Sequence, residues 1–85
     1  MSGQWRKVVW DHLAEETFRE LIIDPAEADD FIASAEFILS HDATMGVHVE
    51  SALWQFLLAP VHGRTVYLFY TFNASTVTVV GVIAE

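Results

Sequence analysis

The chain has no cysteine. That excludes a disulfide framework, an iron–sulfur cluster and any thiolate-bound zinc, so the fold must be held by packing alone or with a partner's help. Positive charge is nearly as scarce, at four Lys plus Arg against twelve Asp plus Glu and a net charge of −8. Binding a phosphate backbone needs clustered cations, so direct recognition of DNA or RNA is not expected. No stretch approaches the ~18 uncharged apolar residues of a membrane span. The apolar run Val8–Trp10 ends at Asp11 and is too short for a secretory signal. These absences, with a composition suited to a reducing compartment, predict a cytoplasmic protein without membrane attachment.

What is present is a small, greasy domain. The 85 residues are 53% hydrophobic and 13% aromatic, which excludes disorder and leaves room for one domain spanning 1–85. Charge is distributed unevenly: Arg6, Lys7 and Arg19 face ten carboxylates in residues 1–43, for −7, whereas residues 44–85 carry Arg64 against Glu50 and Glu85, for −1. There are no internal repeats, low-complexity tracts or linkers.

Trp5 to Trp10 reads as a first strand, rich in β-branched and aromatic residues. Asp11 offers an N-cap to a helix with Glu15 and Glu16 in its first turn and a buried stripe of Ala14, Phe18, Leu21 and Ile22. The second helix has the clearest start. Asp24-Pro25-Ala26-Glu27 sets a cap acceptor, a proline at N1 and a glutamate at N3 able to reach back to the cap N–H. Ala28, Phe31, Ile32, Ala35, Ile38 and Leu39 form its apolar face, Phe37 falls off that stripe, and the pattern stops near His41. The short link between the helices predicts an antiparallel hairpin.

From Val47 the period changes. Val47–Pro60, Thr65–Phe72 and Thr76–Ala84 read as strands separated by turn signals at Pro60–Gly63 and Asn73–Ser75, forming a meander. Leu53, Leu57, Val66, Leu68 and Tyr70 are apolar, but so are Trp54, Phe56, Tyr67 and Phe69 on alternate positions. A sheet with one wet face should alternate, and this one barely does, so its second face must curl on itself or receive a partner. The prediction is an α+β fold, β-α-α-β-β-β, with a helical hairpin packed on a twisted antiparallel sheet.

In this order and spacing the chain resembles the RelE/ParE superfamily of toxins from bacterial type II toxin–antitoxin modules, which includes plasmid-stabilisation proteins. The resemblance rests on Val8-Val9-Trp10 leading into a helix, the stretch Asp24 to Ile32, Gly46 before the second strand, Val66–Tyr70, and the closing Val77–Val82. It implies the same fold, a co-encoded antitoxin as partner, and one of two activities: ribosome-dependent mRNA cleavage or non-catalytic inhibition of DNA gyrase.

Metal-free RNA cleavage needs a base, a cation and an acid. Glu50 matches the general-base glutamate of some family nucleases. Leu68 stands where the family often has arginine, and the chain closes on Val82-Ile83-Ala84-Glu85 without the family's C-terminal histidine or tyrosine. Arg64 and His62 are the remaining catalytic candidates. His48, Glu50 and His62 are a conceivable metal set, but no metal or other cofactor is expected. Two of the three catalytic roles are vacant, so the expectation is a ParE-like, non-catalytic or degenerate toxin component acting by protein–protein contact through Trp54, Phe56, Tyr67, Phe69 and Phe37. The alternatives are a RelE-type mRNA endonuclease and a non-toxic dimerisation or scaffold domain. A homodimer stays open beside the antitoxin.

Overall fold

The computed structural model describes residues 5–58 and 60–85. The chain runs β1 (Lys7–Trp10), α1 (His12–Leu21), α2 (Pro25–His41), a 3₁₀ turn (Ala43–Met45), β2 (Val47–Glu50), β3 (Leu53–Leu57), β4 (Val66–Phe72) and β5 (Thr76–Ala84). All five strands form one sheet in the order β1-β5-β4-β3-β2. The C-terminal strands are antiparallel neighbours, while β1 pairs in parallel with β5, Lys7 to Thr76 through Trp10 to Val79. The class is α+β, two helices on a mostly antiparallel sheet.

Both helices begin as their sequences dictate. The Asp11 carboxylate accepts the Leu13 N–H at 3.2 Å, and the Asp24 carboxylate accepts the Ala26 N–H at 3.0 Å, each relieving a donor that the first turn leaves without a partner. Glu27 does not close the expected capping box. Its Oε1 lies 2.9 Å from His62 Nε2, so the carboxylate is drawn outward to the turn before β4. Arg19 donates to Glu15 on its own helix and to Asp29 on α2, pinning the hairpin on its exposed side. These two carboxylates, Asp29 foremost, raise the guanidinium's pKa further.

The core lies between the hairpin and one face of the sheet. Ala14, Phe18 and Ile22 from the first helix and its C-cap, and Ala28, Ala35 and Leu39 from α2, bury against Val66, Leu68, Tyr70, Val77 and Val79. At ~2 kcal/mol for each large buried side chain, this single layer supplies most of the hydrophobic driving force.

Among the described residues, Tyr70 is the largest fully buried side chain. Its hydroxyl donates to the Ala43 carbonyl at 2.6 Å and accepts the Gly46 N–H at 3.2 Å, which fastens the 3₁₀ turn over the sheet. Gly46 is glycine for a steric reason: a Cβ there would collide with the Gln55 carbonyl oxygen and the Tyr70 hydroxyl.

The segment 47–60, expected to be one strand, is two. Ser51 adopts φ 51° and turns the chain, so β2 folds back on β3 with a register shift between His48 and Glu50. After β3, His62 and Gly63 take positive φ and Val61 and Arg64 exchange both backbone hydrogen bonds, a two-residue reverse turn of the type that twists with the sheet. At the β4–β5 turn the Asn73 side chain accepts the N–H groups of Ser75 and Thr76.

Candidate functional site

Register decides which side chains share a face. Trp54 pairs with Tyr70 and Phe56 with Leu68, so both aromatics point to the helix side, half-buried against the core. Leu57 pairs with Tyr67 and Gln55 with Phe69, which sends these four to the opposite side. There they meet Ile83 and Gly81 across β4–β5. The expected contact set is therefore divided: Tyr67 and Phe69 lie on the uncovered face, Trp54 and Phe56 on the covered one, and Phe37 on the outer surface of α2.

Phe37 is 62% exposed and belongs to a surface cluster with Trp5 and His41. The His41 ring lies 3.7 Å from Trp5 and 4.3 Å from Phe37 between centroids, and its Nδ1 is 2.6 Å from the Phe37 carbonyl oxygen. Next to this cluster, Glu36 accepts the Trp10 indole N–H at 3.0 Å and ties α2 to β1.

The uncovered face is apolar and almost free of charge. Leu57 is 57% exposed, Ile83 49% and Val47 67%, and Val9 joins them on β1. Along β3, β4 and β5 the intervening positions are Gln55, Thr71, Thr78 and Gly81, none of them charged. A separate groove of about 290 Å³ runs between α2 and β3, lined by Phe31, Ser34, Ala35, Ile38 and Phe56 with the start of the outgoing loop.

The catalytic candidates do not converge. Glu50 pairs with Leu53 at one end of β3. Arg64 and His62 belong to the turn beyond Leu58, at the other end. The extended chain between those ends covers roughly 16 Å at ~3.3 Å per residue, far outside the hydrogen-bond reach that a shared reaction centre requires. His62 is engaged with Glu27, and His48 lies 2.6 Å from the Ser51 carbonyl oxygen and packs on Trp54. His48, Glu50 and His62 are thus not brought together. Among the described residues, no three His, Asp or Glu side chains cluster to hold a metal ion. No helix among them is long and apolar enough to cross a membrane.

Sequence reasoning missed Leu57, Ile83, Val47 and Val9 as surface-defining residues. Each lies in a strand pattern that was visible. The phase between neighbouring strands, which only pairing supplies, was not. Comparison with protein-family models and with curated proteins finds no match to this chain.

Proposed function

We propose that the chain is the toxin-like component of a bacterial type II toxin–antitoxin module of RelE/ParE type, and that it acts by protein–protein contact without cleaving RNA. The observation that carries this reading is the separation of Glu50 from His62 and Arg64 by the length of β3. Cleavage would need base, cation and acid around one phosphate. Leu68, at the position where the resemblance expects arginine, is fully buried under the helices and offers nothing to a substrate.

Contact surface is plentiful by comparison. The groove between α2 and β3 suits the apolar side of an amphipathic antitoxin segment, and the exposed edge strand β2 is open to strand addition. The acidic helices favour basic residues on that segment, which speeds encounter more than it deepens affinity. The partner chemistry is thus an amphipathic, basic peptide, and the candidate target is an enzyme such as gyrase that is blocked by occupancy.

The test is expression in a bacterial host with mRNA integrity read by primer extension. The expected result is growth arrest with uncut message, equally strong for Glu50→Ala. Message cleavage that Glu50→Ala abolishes would establish the ribonuclease reading instead. Unimpaired growth at full expression of folded protein would refute toxicity.

A further inference from the structure

Independently of any toxic role, we infer that the uncovered face of the sheet is a homodimer interface, closed by a second copy of this chain packed face to face about a two-fold axis lying across the strands. Three features of the face lead to this occupant.

The first is area. Five strands at ~4.8 Å spacing and about six residues of usable length give roughly 500–700 Å² of accessible surface per copy, or about 1,000–1,400 Å² in total, enough for a specific interface of modest strength. Leu57, Tyr67 and Ile83 form one apolar row across three strands, with Phe69, Val9 and Val47 around it. Two such faces stack as the inner faces of a β-sandwich do.

The second is where the charge lies. At −8, two copies should repel. Yet ten of the twelve carboxylates fall between Asp11 and Asp42, in the helical layer and its flanks on the far side of the sheet. Stacked sheets stand about 10 Å apart and each helical layer about as far again behind. The two acidic layers are then roughly 30 Å apart, several screening lengths of about 8 Å. This face is the side on which a second copy approaches with least repulsion.

The third is the rim. Lys7 pairs with Thr76 at the start of β5 and, by alternation with the inward Val8, stands on the uncovered side. Glu85 exchanges both backbone hydrogen bonds with Thr65, one step beyond Ala84, so its side chain alternates to the same side at the far end of β5. An axis across the strands reverses β5 over its counterpart and β1 over its own. This brings each Lys7 to the end of β5 that carries the other copy's Glu85, one strand's width (~4.8 Å) to the side and within reach of these two long side chains. The pairing occurs twice.

Sedimentation equilibrium over a broad concentration range tests this. The expected result is a reversible monomer–dimer equilibrium with a dissociation constant in the micromolar range, as interfaces of about this size allow. Ile83→Glu should weaken it by about 100-fold or more by burying unpaired charge, whereas Leu13→Glu on the exposed side of α1 should leave it unchanged. Lys7→Glu should weaken association, and Lys7→Glu combined with Glu85→Lys should restore it. These rim variants leave the core untouched, so they remain informative if Ile83→Glu fails to fold. A single 9.6 kDa species at every concentration overturns the inference, and so does a face taken by a different protein in a heavier mixed complex. So does a dimer indifferent to Ile83→Glu, or one that Lys7→Glu does not weaken.

Discussion

Tyr70→Phe isolates one hydroxyl at the point where the helical layer is fastened to the sheet. The ring is fully buried and keeps its packing in phenylalanine, so no cavity arises. What is lost is the bond to the Ala43 carbonyl and the bond from the Gly46 N–H. A buried polar group left without a partner costs ~1–3 kcal/mol. Gly46 is only half-buried, so its N–H can recruit water and the lower part of that range applies to it. The expected total is about 2–3 kcal/mol. At ~4–8 °C per kcal/mol for a domain of this size, Tm falls by about 10–20 °C. Thermal denaturation followed by circular dichroism measures this, with Tyr67→Phe as the control, since that hydroxyl has no partner among the described residues and its loss should stay within about 0.5 kcal/mol. Equal Tm values for the two variants would refute the claim that the Tyr70 hydroxyl secures the 3₁₀ turn.

Gly46→Ala should be at least as damaging, about 2–4 kcal/mol in urea denaturation, because the added methyl meets the Gln55 carbonyl on rigid strand backbone; a neutral result would mean that the turn shifts freely. Burial pushes the Tyr70 phenol above its ordinary value, outweighing the Gly46 N–H bond that would favour the phenolate. A group raised on folding contributes its full stability below its unfolded pKa of about 10 and loses it as pH rises through the folded value. Stability should therefore decline above about pH 10 in wild type and decline less in Tyr70→Phe. Parallel urea titrations at neutral and alkaline pH measure the difference, and identical slopes would contradict it.

Helix signals were local and therefore legible. Asp11, Asp24 and Pro25 mark their helices because a cap is chemistry between residues two or three apart. The hairpin inside 47–60 was not legible. Ser51-Ala52 carries no glycine, proline or asparagine, and the φ 51° of Ser51 is imposed by the pairing of β2 on β3 rather than by residue preference. Glu27 matched the capping-box pattern, but His62, thirty-five residues away, is the stronger lure. The candidate site fared likewise. Sequence alone showed that both parities of the C-terminal strands were loaded, yet assigning Trp54 and Phe56 inward and Leu57 outward requires the relative phase of β3 and β4, a non-local quantity.

The parallel pairing of β1 with β5 has a consequence for how the molecule is made. Of the described strands, the one synthesised earliest finds its place beside the one synthesised latest. Synthesis at ~5–20 residues per second keeps Trp10 waiting for Val79 for several seconds, far longer than a helical hairpin needs to form. Val8, Val9 and Trp10 spend that interval in a nascent chain with no edge to join. The final assembly is then a single late event, in which the sheet acquires its outermost neighbour and its helical cover together.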